Sequence, residues 1–204
     1  QMEENNGIYY EPRYTMRWLG IQTLIIVAVA FILAVVVSSI DGFAQGRVES
    51  GLLAAGDYSI ISDALVYCFG IITITSLSLM LVEIAFRKPI NNLQYILIEL
   101  ALSLFYLLLL AMAEKIPFIA SYIIVTLMTV GLIVLFIKGI TANKMAVILV
   151  SVILVVEYVL MYILLMLGSM ALLVGSLALF ALIAIAMYFT LKLKIENEEL
   201  VLKK

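Results

Sequence analysis

The chain has 204 residues, of which 66% are hydrophobic and 13% charged, and its formal net charge at pH 7 is −2. Soluble domains carry roughly 25% charged residues, so this composition excludes a soluble fold, and the charge excludes the basic surface that nucleic acid requires. The absence of histidine and the single cysteine, Cys68, exclude a disulfide within the chain, a His/Cys zinc site and the commonest general base.

Six apolar runs follow a polar N-terminal segment, and each is close to the ~20 residues that a helix needs to cross a ~30 Å hydrocarbon layer. We predict a cytoplasmic N-terminal segment at 1–16, a six-helix transmembrane domain at 17–192 and a charged cytoplasmic tail at 193–204. A polar, glycine-rich loop at 38–62 is expected on the outer side. The predicted spans are 18–37, 63–86, 93–113, 117–137, 145–167 and 170–191. The fold class is therefore an all-α bundle of six transmembrane helices.

The distribution of lysine and arginine predicts the orientation, because these residues are enriched in cytoplasmic loops. The chain has 12 of them, and with both termini inside the cell only Arg47 and Lys115 would lie in outer segments. An odd number of spans would place the two basic termini on opposite sides of the membrane. We therefore predict that both termini are cytoplasmic.

Glu99 lies deep inside the third predicted span. It follows Asn91, at the start of that span, by eight residues, which is about 12 Å along a helix axis. Tyr95, Ser103 and Tyr106 share its helical face by their spacing. A charged group at the centre of a span costs roughly 2.5–3.5 kcal/mol, so this carboxyl group needs a partner or a proton.

A second carboxyl group, Glu157, lies deep in the fifth span beside Tyr158, and no lysine or arginine lies at that depth. Two interpretations stay open. Glu99 and Glu157 could bind a proton or a cation within a polar seam through the bundle. Alternatively, both acids are protonated and hydrogen-bonded to hydroxyl groups of neighbouring helices, so that they hold the bundle together.

Glu83 lies near the end of the second span, four residues before Arg87. Glu preceding a basic residue by four positions is the favourable order for a helical ion pair. We predict an interface ion pair between these two side chains. No nucleophile–base pair, phosphate-binding loop or metal-ligand cluster is recognisable in the sequence, so we expect no enzyme activity, no cofactor and no metal site.

Several segments resemble the CreD family of bacterial inner-membrane proteins, which are described as cell-envelope integrity proteins. The run LQYIL at 93–97 and the run FYLLLLAMAE at 105–114 are similar to the family's signature segments. ALLVGS at 171–176 resembles a stretch in the family's last span, and Glu83 matches an acidic residue near the end of the same helix. The resemblance implies a multi-pass protein of the bacterial inner (cytoplasmic) membrane with an envelope role.

The chain departs from the family pattern in two places. Family members carry a large extracytoplasmic domain between the first two spans, where this chain has only 38–62. It is therefore a minimal relative or a chain from which that domain has been removed. The family's histidine in the basic turn before the QY segment is also absent here.

The functional expectation is a non-enzymatic inner-membrane protein that supports envelope integrity or the stress response. Its partners would be the lipid bilayer and possible membrane proteins or further copies of itself. The alternative is a small proton- or cation-coupled transporter or channel that uses Glu99 and Glu157. A water-filled cavity reaching these acids would favour the alternative, and a dry, closely packed bundle would favour the first reading.

Overall fold

The computed structural model describes residues 14–196 and 199–202. These residues form eight α-helices, a 3-10 turn at Gly168–Met170 and a hairpin of β1 (Leu193–Glu196) and β2 (Glu199–Leu202). Residues 1–13 of the predicted N-terminal segment, and residues 197, 198, 203 and 204 of the predicted tail, lie outside the described part. The helices are α1 (Met16–Ser38), α2 (Ile40–Glu49), α3 (Ala55–Val66), α4 (Cys68–Phe86), α5 (Asn92–Ala113), α6 (Phe118–Thr141), α7 (Lys144–Leu167) and α8 (Ala171–Lys192).

Six of the helical segments are long and apolar enough to cross a membrane. They correspond to α1, which continues almost directly into α2, and to α4, α5, α6, α7 and α8. This confirms the predicted all-α bundle with six candidate spans. The cytoplasmic location of both termini stays a prediction.

The sequence predicted a loop at 38–62, and this prediction is wrong because the segment is largely helical. It forms α2 and the first part of α3, joined by a turn in which Gly51 has a φ of 72°. Asp41 in the first turn of α2 and Arg47 in its last turn complement the helix dipole, which favours a helix despite the polar composition. The second span is shorter than the predicted 63–86, because α3 ends at Val66 and α4 begins only at Cys68.

The turn between α4 and α5 sets two of the spans side by side. Arg87 ends α4 in a left-handed conformation with a φ of 50°, and Pro89 follows it. The backbone N–H of Asn91 donates to Oε1 of Gln94 over 2.8 Å, which satisfies a free donor at the start of α5. The two helices therefore run antiparallel as neighbours.

Helix α4 occupies a central position and packs against α1, α5 and α7. Small side chains let helix backbones approach closely where lipid supplies no hydrophobic driving force. Fully buried small residues of the bundle are Ala30, Ala64, Cys68, Ser76 and Ala146. The core is thus built by close contact around α4.

Helix α8 lies at the edge of the bundle. None of its residues from Ala171 to Tyr188 is buried, and it contacts α7, where a Cβ atom at Gly175 would lie 3.6 Å from Leu164. The hairpin that follows α8 brings β2 against α4. Most of α8 therefore faces lipid.

At the opposite end of the bundle from the α4–α5 turn, α2 is joined to the end of α5 by an ion pair. Nε of Arg47 lies 3.1 Å from Oε1 of Glu114. The arginine side chain is 49% exposed, so the pair contributes at most about 1 kcal/mol. Its effect is to hold the helical segment 40–66 near the α5–α6 turn.

We expect Ser50→Cys and Lys138→Cys to be modified from opposite sides of the membrane. Both positions are exposed, and they lie at opposite ends of the bundle, whereas the native Cys68 is fully buried and gives no background. A membrane-impermeant maleimide applied to spheroplasts should label Ser50→Cys before lysis and Lys138→Cys only after it. Labelling of both variants from the same side would contradict the predicted topology.

Candidate functional site

Buried polar side chains concentrate on α4 and on the two helices, α5 and α7, that pack against it. The residues Thr75, Ser76 and Glu83 come from α4, Glu99 and Ser103 from α5, and Glu157 from α7; all are buried. Polar groups in the apolar part of a membrane require hydrogen-bond partners or stay neutral, because no water compensates them there. This cluster is the candidate functional site.

Glu157 is held by a hydroxyl group of the central helix. Thr75 of α4 donates a hydrogen bond to Oε2 of Glu157 on α7. The other carboxyl oxygen, Oε1, has no hydrogen-bond partner among the described residues. The contact links two spans across the middle of the bundle and leaves half of the carboxyl group available for a further hydrogen bond.

Glu99 lies on the other side of α4. Its side chain is 1% exposed, and neither carboxyl oxygen makes a hydrogen bond within the described part of the chain. Ser76 of α4 adjoins the carboxyl group without hydrogen-bonding geometry. Successive residues of an α-helix point about 100° apart, which explains how Thr75 serves α7 while Ser76 faces Glu99 on α5. The two acids therefore flank one pair of hydroxyl groups.

Glu83 belongs to a separate contact near the end of α4. The Tyr95 hydroxyl of α5 donates to Oε2 of Glu83 over 2.7 Å, and both side chains are buried. The bond joins α4 to α5 through two side chains that belong to different predicted sites but are adjacent in the bundle. The carboxyl group is thus engaged by α5, and its predicted ion pair with Arg87 stays a prediction.

Tyr14, just before α1, lies at the same end of the bundle. Burial raises the pKa of its phenol to about 12, the Glu83 carboxylate adds to the rise, and Arg87 opposes it. The ring packs edge-on against Trp18 at a centroid distance of 5.0 Å. Tyr14 therefore stays protonated at neutral pH and covers this end of the polar cluster.

The remaining residues of the predicted seam do not join the two acids. Ser103 donates to the carbonyl oxygen of Leu100 in its own helix over 2.8 Å. The Tyr106 hydroxyl contacts Sδ of Met161 at 3.9 Å, and the Tyr158 hydroxyl has no partner among the described residues.

The rings of Tyr106 and Tyr158 belong instead to an aromatic cluster. Their neighbour is Phe105, whose ring centroid lies 5.2 Å from that of Tyr106 and 4.8 Å from that of Tyr158. Tyr122 of α6 joins the same cluster, and its hydroxyl donates to the carbonyl oxygen of Tyr158 over 2.7 Å. Tyr106 and Tyr158 thus pack α5, α6 and α7 together.

Sequence reasoning did not identify Thr75 and Gln22. Thr75 contacts Glu157, and Gln22 of α1 is buried with its Nε2 atom unpartnered within the described residues. The signal for Gln22 was present, since Gln22, Ile26 and Ala30 are spaced by four and mark the buried face of α1. Thr75 carries no such signal, because the role of a single hydroxyl group among apolar residues can be recognised only when the helix that packs against it is known.

Comparison with known proteins gives one result. The family described as "Inner membrane protein CreD" matches residues 50–196. The match extends from the α2–α3 turn to β1 and includes all six residues of the buried polar cluster, whereas Tyr14 and Gln22 precede it. No curated protein and no solved structure matches the chain.

We expect Thr75→Val to destabilise the protein by about 1–3 kcal/mol, because it removes the hydroxyl partner of a buried carboxyl group. Thr73→Val is the matched control: the same change in the same helix removes a hydroxyl that has no partner among the described residues. Thermal unfolding in detergent micelles measures both effects. Equal shifts for the two variants would show that the contact with Glu157 contributes nothing.

Proposed function

The chain belongs to the CreD family of inner membrane proteins, and from this premise we propose that it supports cell-envelope integrity or the response to envelope stress. It would do so without enzymatic chemistry, through contacts with lipid or with protein partners in the membrane. Family membership supports the envelope role. The mode of action is supported by two features of the structure: the polar side chains are buried inside the bundle, and the surface that faces lipid is largely apolar.

The observation that carries this proposal is that the buried acids are packed inside the bundle. Glu99 and Glu157 are shielded by α4, α5 and α7, and Glu157 is bonded to Thr75. The bond of Glu157 joins α7 to α4, as interhelical hydrogen bonds do in membrane proteins generally. The surface open to partners is instead the apolar exterior of α6, α7 and α8.

A second function, proton- or cation-coupled transport, is favoured by one specific observation. Glu99 is buried with both carboxyl oxygens unpartnered within the described residues, which is costly for a group that serves only to join helices. Ionisable residues inside membrane spans are expensive and mark proton or ion pathways in many transporters. In this reading a proton would pass between Glu99 and Glu157 by way of Ser76 and Thr75.

In cells lacking the gene, we expect the wild-type chain and the double variant Glu99→Gln, Glu157→Gln to restore the envelope barrier equally. Glutamine keeps the size and hydrogen-bonding capacity of a protonated acid and therefore preserves the bundle. Uptake of an impermeant dye under detergent stress measures the barrier. Failure of the wild-type chain to restore it would contradict the envelope role, and failure of the double variant alone would contradict a purely structural role for the acids.

The transport function makes a different prediction, for purified protein in liposomes. A potassium gradient with valinomycin should drive proton entry through the wild-type chain, and Glu99→Gln or Glu157→Gln should abolish it, because neither amide can release a proton. Ser103→Ala is the control, since Ser103 lies on the same buried face of α5 but bonds its own helix. A pH-sensitive dye inside the vesicles reports the flux. Equal fluxes in protein-free and wild-type vesicles would rule out proton transport.

A further inference from the structure

A groove runs between α6 and α7 on the outside of the bundle. It has a volume of about 350 Å³ and is lined almost entirely by apolar atoms. Its floor is formed by Tyr122 and Tyr158 of the aromatic cluster. The walls of this α6–α7 groove include Ile119, Thr126 and Val130 of α6 and Val155, Val159 and Tyr162 of α7.

The α6–α7 groove opens to the lipid and not to water. Ile119, Val155 and Val159 are exposed wall residues, and both helices are candidate membrane spans. A concave apolar surface inside the hydrocarbon layer is filled by hydrocarbon, because water has no hydrogen-bond partners there. Its occupant must therefore be an acyl chain or an apolar side chain of another protein.

The dimensions favour an acyl chain. From Ile119 to Val130 the groove extends over eleven residues of α6, which is about 16 Å along the axis. This is about half of the ~30 Å hydrocarbon thickness and hence the depth of one leaflet. An α-helix is about 10–12 Å across and over the same length would occupy more than roughly 1,000 Å³, several times the volume of the groove.

A positive charge lies near the end of the groove at the α5–α6 turn. Lys115 is exposed there, four positions before Ile119. Glu114, which adjoins Lys115 in the chain, is paired with Arg47 of α2. Lys115 has no ion-pair partner in the described part of the chain, so its ammonium group is available to a headgroup at this end of α6.

We propose that the α6–α7 groove binds one acyl chain of an anionic phospholipid whose headgroup is held by Lys115. The acyl chain lies along the rings of Tyr122 and Tyr158, and the lysine ammonium pairs with the phosphate of the headgroup. The proposed function rests on contacts with lipid, and an anionic phospholipid would be the lipid class that makes one of them. Lipid retention is measured on purified protein, so it can fail or succeed independently of the envelope phenotype.

The test compares two phenylalanine substitutions on the same helix face. Val159→Phe places a larger side chain inside the groove, whereas Val156→Phe makes the same change at a lipid-exposed position that does not line it. The two valines are 53% and 59% exposed, so neither substitution disturbs the core. Val155→Phe fills the groove from the preceding turn and replaces Val159→Phe if that variant does not fold.

Native mass spectrometry of protein released from nanodiscs with equal phosphatidylglycerol and phosphatidylcholine gives the readout. We expect the wild-type chain and Val156→Phe to retain one phosphatidylglycerol, and Val159→Phe to lose it. Lys115→Gln should keep one lipid but lose the preference for phosphatidylglycerol.

Four results would overturn the proposal. Val159→Phe could retain lipid as the wild-type chain does, or Val156→Phe could lose it equally, and either outcome would show that the groove is not the binding site. If Val159→Phe instead disrupted a dimer while lipid was retained, the groove would serve a second copy of the chain. An unchanged preference in Lys115→Gln would overturn the assignment of the headgroup.

Discussion

The cost of placing a carboxyl group in hydrocarbon governs how this bundle is assembled. Three glutamates lie buried on α4, α5 and α7, and two of them make a hydrogen bond between α4 and a neighbouring helix. Thr75 donates a hydrogen bond to Glu157 of α7, and Glu83 accepts one from the Tyr95 hydroxyl of α5. An unpaired buried polar group costs about 1–3 kcal/mol, so these contacts favour the packing of α5 and α7 against α4.

The same constraint separates the inside of the bundle from its outside. Polar groups are gathered around α4, so the outer faces of α6, α7 and α8 carry mostly apolar side chains. Hydrocarbon solvates these faces without penalty, and only a concave surface such as the α6–α7 groove distinguishes one lipid position from another. Selective contact with the membrane therefore depends on shape and on charges at the ends of the helices, not on polar groups within the spans.

The sequence predicted the parts of the fold that depend on length and composition. The six spans followed from apolar runs long enough to cross a bilayer, and the buried face of α5 followed from the spacing of Tyr95, Glu99, Ser103 and Tyr106, all of which are buried. The helices within 38–62 were missed, because short helices with many polar residues have no strong periodicity. The contact between Thr75 and Glu157 depends on how two helices rotate against each other, which one sequence does not specify.

Helix α7 connects the two regions on which the functional hypotheses depend. Glu157 and Tyr158 are adjacent, yet one is bonded to α4 and the other forms the floor of the α6–α7 groove. Because neighbouring residues of a helix share one rigid backbone, a rotation of α7 that released Thr75 would also reshape the groove. Glu157 and the α6–α7 groove thus share one helix, so a change in the protonation of Glu157 and a change in the occupant of the groove would act on the same structural element.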